Sequence, residues 1–139
     1  MYLLDTNVVS ELRKAARADR YVTAWAGQAD IRAMHISVVS MLEIRLGILS
    51  VQRKDTAQAE ALGIWLSRHV IPAFTGRIIP IDLAVALRCA ELHVPNPRPD
   101  RDALIAATAL VHRLTVVTRN TDDFRPTGVA TLNPWELPA

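Results

Sequence analysis

The sequence contains a single cysteine, Cys89, and so can form neither an internal disulfide nor a cysteine-based zinc cluster. It also lacks any apolar run near the roughly 20 residues that a helix needs to cross a bilayer. No basic and apolar leader opens the chain, because Asp5 and Asn7 interrupt the first apolar stretch. These absences predict a protein without membrane segments that works in the reducing cytoplasm.

Lysine is scarce as well, since only Lys14 and Lys54 among the 16 basic residues are lysine. Arginine binds phosphate through a planar, bidentate fork, so its excess suits a nucleic-acid partner. A genome rich in arginine codons explains the same excess equally well, and the formal net charge of +2 adds little. The composition therefore leaves the partner open.

The chain is also poor in the residues of several common active sites. Its five glycines are too few and too dispersed for a phosphate-binding loop. Its four histidines stand in separate segments without a metal-binding spacing, and no Gly-x-Ser-x-Gly elbow is present. The sequence thus indicates neither a nucleotide loop, nor a histidine-bound zinc, nor a serine nucleophile.

What is present is an alternation of short apolar strands and helices. The length of 139 residues fits one domain over 1–139. The predicted strands are 2–4, 34–38, 78–81, 114–118 and 128–132. The predicted helices are 6–14, 20–29, 39–50, 54–70 (ended by Pro72), 83–93 (capped by Asp82) and 101–113. This order predicts an α/β fold with three layers, α/β/α, around a central parallel sheet.

Polar side chains follow the predicted strands. They are Asp5, Glu43, Asp102, Asn120, Asp122 and Asp123. Because parallel sheets build sites outside the carboxyl ends of their strands, these side chains are expected to converge on one edge. Carboxylates grouped there repel one another unless a cation is bound, and hard oxygen ligands favour Mg²⁺ or Mn²⁺. Such an ion activates water for attack on a phosphodiester.

Each acid also has a purely structural explanation. Asp5 can cap the helix that follows it, and Ser40 with Glu43 matches a capping box. Asp102 lies at a helix start, where the helix dipole favours anions. None of these explanations requires the acids to share one edge, so both interpretations stay open at this point.

Four segments resemble, in order, the motifs of one family. They are LLDTNVVSEL at 3–12, SVVSMLEIRLG at 37–47, DALIAATA at 102–109 and VVTRNTDDF at 116–124. These segments resemble the motifs of PIN domains, in particular those of VapC-type and FitB-type toxins. The ending NPW at 133–135 resembles the FitB branch. The similarity covers nearly the whole chain, and the full set is highly specific.

The resemblance implies a PIN fold and an endoribonuclease dependent on Mg²⁺ or Mn²⁺, the toxin of a type II toxin–antitoxin system. It implies that Asp5 and Asp102 bind the metal most directly, while Glu43 completes the shell or orients the water. Thr6 would support the site through its hydroxyl, and Asn7 would order the loop. It also implies a homodimer and a cognate antitoxin of the VapB or FitA type.

The fourth acidic position departs from the usual pattern of the family. Many PIN domains have Asp where this chain has Asn120, and an amide is a weaker ligand for a hard cation. Some VapC-type toxins combine Asn there with an acid three residues later, which here is Asp123. We therefore expect Asn120 and Asp123 to share the fourth role, with Asp122 as the alternative.

Two further sets of residues are candidates for binding. The arginines near the motifs that could contact RNA are Arg45, Arg98, Arg101 and Arg119. The apolar helix residues that could form an antitoxin groove are Val22, Trp25, Leu46, Leu49 and Trp65. The alternatives are a solvated surface charge for each arginine and plain core for each apolar residue.

The same residues also bear on three other functions. A phosphatase of the haloacid-dehalogenase type requires Asp-x-Asp, but residues 5–7 read DTN. A receiver domain requires paired acids near its start and a lysine near its end, and the chain has neither. A catalytically weak PIN-like module that only binds RNA or a partner is the second alternative. DNA cleavage is the third, because the metal chemistry does not distinguish the sugar.

Overall fold

In a computed structural model, which describes residues 1–137, five strands form one parallel sheet. They are β1 (Tyr2–Leu4), β2 (Met34–Ser37), β3 (Ile78–Ile79), β4 (Thr115–Val117) and β5 (Thr131–Leu132). Their order is β3-β2-β1-β4-β5, and every neighbouring pair is parallel. The predicted parallel sheet is confirmed; the last two residues of the expected domain lie outside the described residues.

Helices connect the strands on both faces of the sheet. They are α1 (Thr6–Arg13), α2 (Arg20–Gln28), α3 (Val38–Gln52), α4 (Thr56–Trp65), α5 (Ile71–Ala73), α6 (Leu83–Leu92), α7 (Asp100–His112) and α8 (Thr121–Phe124). In the part of the chain that is described, no helix has the length and apolar character needed to cross a membrane. The cytoplasmic location expected from the sequence stays a prediction.

Alternate residues of the central strands supply two hydrophobic cores. Leu3 and Val116 pack into the core that α6 and α7 cover. Leu4 and Val117, one residue further along, pack into the core on the opposite face, with buried residues of α1 to α4. Successive strand residues point to opposite faces, so both cores follow from the same short apolar strands. The three-layer α/β/α prediction is confirmed.

Short polar side chains begin most of the helices, as the sequence pattern indicates. The Asp82 carboxylate accepts from the N–H of Val85 at 3.0 Å, which confirms it as the cap of α6. The cap of α3 is Ser37, whose hydroxyl accepts from the N–H of Val39 at 3.0 Å. The capping-box explanation for Ser40 and Glu43 is therefore wrong, because both residues lie inside α3.

The sequence predicts a helix over 54–70 that Pro72 ends, but the helical conformation continues past residue 70. After α4 the chain makes a π turn (Leu66–Val70) and continues into α5. The N–H of Ile71 already bonds to the carbonyl of Leu66, so the regular ladder is shifted before the proline. Pro72 then stands in the first turn of a new helical segment, where its missing N–H is tolerated.

Two differences near the C-terminal end affect the site. Residues 121–124 form α8, a helix that the sequence pattern did not predict. The strand predicted at 128–132 is confined to Thr131–Leu132. Gly128 has φ +79°, a left-handed conformation, and closes the turn that separates α8 from β5. The acids at 122 and 123 therefore lie on a helix and not on an open loop.

Arg98 fastens the proline-rich loop that precedes α7. Its Nε donates to the carbonyl of Leu92 at 2.7 Å, and its Nη2 donates to the carbonyl of Pro126 at 3.3 Å. Its backbone N–H donates to Nδ1 of His93 at 3.1 Å. These bonds join the end of α6, the loop and the turn after α8. They thereby fix the start of α7, which carries Asp102.

We expect Arg98→Ala to lower the free energy of unfolding by about 1–3 kcal/mol, because the hydrogen bonds from its charged guanidinium to the carbonyls of Leu92 and Pro126 are lost. Denaturant melts measure the change. Arg88→Ala is the matched control: it removes an exposed ion pair with Glu91 (2.6 Å) and should cost less than about 1 kcal/mol. Equal stability of the two variants would contradict the fastening role of Arg98.

Candidate functional site

The candidate site lies at the carboxyl end of the sheet, between β1 and β4. From β1 the chain adds β2 and β3 on one side and later β4 and β5 on the other. Open parallel sheets form their binding crevices where the strand order reverses in this way. Leu4 pairs with Val117, so the residues that follow, Asp5 and Thr118, stand side by side at that point.

Donors on neighbouring segments hold the Asp5 carboxylate, which is only 7% exposed. The N–H of Thr6 donates to Oδ1 at 2.8 Å, which is the capping contact that the sequence allowed. The hydroxyl of Thr118 donates to Oδ2 at 2.8 Å, and Nδ2 of Asn7 lies 3.4 Å from the same oxygen. Asp5 therefore caps α1, and these donors fix the orientation of its carboxylate.

The carboxylates of the site influence one another's charge. Burial raises the pKa of Asp5 above its usual value, and the charges of Glu43 and Asp102 act in the same direction, against the hydrogen bond from Thr118. Burial also raises the pKa of Asp102, followed by the charges of Asp123 and Glu43. The structure thus brings the predicted acids from β1, α3, α7 and α8 into one electrostatic cluster.

Glu43 is positioned from α1. The Thr6 hydroxyl donates to Oε1 of Glu43 at 2.8 Å and lies 2.9 Å from the hydroxyl of Ser40. On its other side, Oε2 of Glu43 lies 3.6 Å from Nη1 of Arg101. These contacts hold the half-buried Glu43 in place from α1, and the supporting role that the family resemblance implies for Thr6 stays a prediction.

The two acids of α8 have different surroundings. Asp122 is 84% exposed and pairs with Arg125 at 2.6 Å. Asp123 acts on the charge state of Asp102 across the crevice. The backbone N–H of Asn120 donates to the Thr118 hydroxyl at 3.0 Å, which ties the start of α8 to the site. The choice of Asp123 over Asp122 for the fourth position stays a prediction.

The donor atoms at this edge fit a hard divalent cation. They are carboxylate, hydroxyl and amide oxygens, without sulfur or imidazole among them. Within residues 1–137, no three His, Cys, Asp or Glu side chains form a preformed group that could enclose an ion. An ion that keeps part of its water shell and touches one or two carboxylates directly, as Mg²⁺ usually does, is compatible with that arrangement.

The structure separates the candidate arginines. Arg101 faces Glu43, and Arg119 lies at the rim beside α8. Arg45 lines a groove between α3 and α4, on a different side of α3 from Glu43. The guanidinium of Arg98 donates to two backbone carbonyls, which gives it a structural role, and the RNA contact expected for it stays a prediction.

The apolar residues considered for a groove also divide. Val22 and Trp25 are buried in the core, whereas Leu46 and Leu49 are exposed on α3. Trp65 lines an apolar groove that begins at Thr6 and Glu43 and runs between α1, α3 and α4. Of the apolar residues considered for the groove, only Val22 and Trp25 are therefore plain core residues.

Thr118 and Ser40 belong to the site, although sequence reasoning did not assign them a role there. The signal for Thr118 was its position, since it follows β4 just as Asp5 follows the neighbouring strand β1. Ser40 is fully buried and lies one turn before Glu43 on α3. In the sequence, the spacing of Ser40 and Glu43 matches a capping box and gives no sign of a contact with Thr6. That contact depends on how α1 packs on α3.

Comparisons with known proteins agree with this architecture. A PIN domain family model matches residues 2–129. The chain is 35% identical to VapC ribonuclease Y4jK of Sinorhizobium fredii, over 98% of this chain and 99% of that protein. It is also 35% identical to Toxin FitB of Neisseria gonorrhoeae, over 97% of this chain and 99% of that protein.

Solved structures show the same similarity. FitAcB from Neisseria gonorrhoeae superposes with a TM-score of 0.89 at 34% identity, covering 99% of this chain and 100% of that chain. A toxin–antitoxin complex from Klebsiella pneumoniae superposes with a TM-score of 0.69 at 26% identity, with the same coverage of 99% and 100%. The chain therefore belongs to the PIN domain family.

Proposed function

We propose that this chain is a metal-dependent endoribonuclease and the toxin of a type II toxin–antitoxin pair. The observation that carries the proposal is the cluster of carboxylates around the buried Asp5, placed where the strand order of the sheet reverses. Relatives of nearly equal length are named a VapC ribonuclease and a FitB toxin, which supports the same activity. A module that only binds RNA has no use for mutually repelling acids in one crevice.

The residues of the site are suited to hold the ion and to orient groups around it. Bound Mg²⁺ or Mn²⁺ supplies an activated water and neutralises charge on the phosphodiester during in-line attack. Asp5 and Asp102 would hold the ion, and Asp123 would complete the acidic side of the site. The Thr118 hydroxyl fixes one oxygen of Asp5, which orients the carboxylate toward the crevice.

Glu43 and Arg101 are suited to the substrate side. Thr6 holds Oε1 of Glu43, which leaves Oε2 to accept a proton from a water in the crevice. Arg101 is 53% exposed and only 3.6 Å from Glu43, so its guanidinium can turn to a phosphate without leaving the rim. Binding of RNA would thus exchange a weak ion pair for a bidentate phosphate contact.

We further propose a cognate antitoxin and a homodimer. The similar structure from Klebsiella pneumoniae is a toxin–antitoxin complex, which supports a partner of that class. On this chain, the groove at Trp65 and the exposed Leu46 and Leu49 offer apolar surface next to the acidic crevice. A partner that lies in this groove ends beside Glu43, where a basic side chain would be attracted.

Asp5→Asn should abolish cleavage while the protein stays folded. The amide keeps the shape of the carboxylate and can still accept from the N–H of Thr6, but it lacks the charge that holds a cation. We expect a loss on the order of 100-fold or more, since even outer contacts of metal sites are worth about 10–100-fold. Cleavage of labelled total RNA with Mg²⁺, Mn²⁺ or EDTA measures it, and unchanged cleavage would refute the assignment of Asp5.

Asp123→Ala should reduce activity more than Asp122→Ala. The charge of Asp123 acts on Asp102, whereas Asp122 is exposed and paired with Arg125. The two variants are matched because they remove the same charge from adjacent positions of α8. Initial rates of RNA cleavage at saturating metal compare them, and equal losses or the reverse order would show that Asp122 fills the fourth position.

Mg²⁺ or Mn²⁺ should raise the melting temperature of the wild-type protein by several degrees. The ion binds only the folded site and relieves the repulsion among its carboxylates, and binding at 100 times the Kd stabilises by about 2.7 kcal/mol. The shift should vanish in Asp5→Asn and persist in Asp122→Asn. Thermal melts at increasing metal concentration test this, and an equal shift in all three proteins would mean that the ion binds elsewhere.

A further inference from the structure

Arg119 lies on the ring of Trp135 at the rim of the crevice. Its guanidinium carbon is 5.2 Å from the ring centroid, a cation–π distance. Asn133 holds the two residues together, because its Nδ2 donates to the carbonyl of Arg119 at 3.3 Å and its Oδ1 accepts from the N–H of Trp135 at 3.0 Å. We call Arg119, Asn133 and Trp135 the Arg119 shelf.

The shelf is attached to the acidic cluster through one side chain. The N–H of Arg119 donates to Oδ1 of Asn7 at 3.4 Å. The Nδ2 of the same amide lies 3.4 Å from Oδ2 of Asp5 and 3.3 Å from Oγ1 of Thr118. A group that binds on the shelf is therefore held at a fixed position relative to Asp5.

The open side of the shelf borders a polar depression. Its lining residues are Arg119, Asn120, Thr121, Asp122, Asp123, Arg125, Asn133 and Glu136. The exposed Arg119 makes no ion pair among the residues that the structure describes. The depression thus offers an arginine cation, amide groups and carboxylates, among them Asp123.

We propose that the Arg119 shelf is a subsite for one unpaired base of the RNA, stacked on the outer face of the Arg119 guanidinium. This rests on the proposed function, since it assumes an RNA substrate. Bases stack on guanidinium planes and on aromatic rings, and the guanidinium of Arg119 lies within cation–π distance of the ring of Trp135. The amide and carboxylate groups of the depression then face the edge of that base.

The geometry favours a base over a phosphate alone. A phosphate contact needs only a positive charge, whereas here the guanidinium lies within cation–π distance of a ring and borders a depression that also holds amide groups. A base can reach this guanidinium only when it is unstacked from a helix, as in loops and single strands. The subsite would therefore select single-stranded RNA at the nucleotide next to the acidic cluster.

The test compares the binding of two short RNAs in EDTA, where metal-dependent cleavage cannot occur. One is hexaadenylate, and the other is an abasic hexamer with the same phosphates. Fluorescence anisotropy should show wild-type protein binding hexaadenylate about tenfold more tightly, in the range of one stacked base. Arg119→Lys keeps the charge but loses the plane, so it should bring the ratio of the two affinities close to one.

Two control variants define the result. Arg53→Lys, at an exposed arginine that ends α3, should keep the wild-type ratio. Trp135→Phe keeps an aromatic ring beneath Arg119 and should retain most of the preference, with thermal melts to confirm folding. A wild-type ratio in Arg119→Lys, equal binding of both hexamers by the wild type, or no binding of either would overturn the proposal.

The outcome is independent of the nuclease assay. A base preference in EDTA together with no cleavage under Mg²⁺ or Mn²⁺ would support the subsite and refute the proposed nuclease. Metal-dependent cleavage without a base preference would support the nuclease and refute the subsite. The two proposals therefore fail separately.

Discussion

The hydrogen bond from the Thr118 hydroxyl to Oδ2 of Asp5 is the contact on which the site depends. It joins the ends of β1 and β4, the two strands between which the order of the sheet reverses. A carboxylate that is 7% exposed is costly to bury unless donors compensate its charge. The N–H of Thr6 and the Thr118 hydroxyl supply that compensation, and they also fix the orientation of the group.

The remaining acids are arranged around this fixed carboxylate at a cost to the fold. Burial and mutual repulsion raise the pKa of Asp5 and of Asp102, so ionising these carboxyls costs more in the fold than in water. Hydrophobic burial in the two cores on either face of the sheet offsets that cost. Repulsion of this kind is typical of functional sites, which often reduce the stability of the fold that carries them.

Much of the fold was predictable from the sequence, because each central strand is a short apolar run followed by a polar residue. What the sequence did not reveal depends on packing between distant segments. Arg98 and Arg101 flank the same loop, but only the structure shows that carbonyls of Leu92 and Pro126 engage the first while the second faces Glu43. Asp122 and Asp123 are adjacent in sequence, and only the structure shows that Arg125 pairs with the first while the charge of the second acts on Asp102.

The acids of the candidate site and the Arg119 shelf beside them belong largely to different segments of the chain. The acids stand on β1, α3, α7 and α8, whereas Trp135 and Asn133 belong to the segment after β5. Asn7 is the link, since its amide touches Asp5 on one side and the backbone of Arg119 on the other. Substitutions in the C-terminal segment can therefore alter the Arg119 shelf without moving any of these acids. Substitutions at Asn7 would disturb both, because one side chain sets the distance between them.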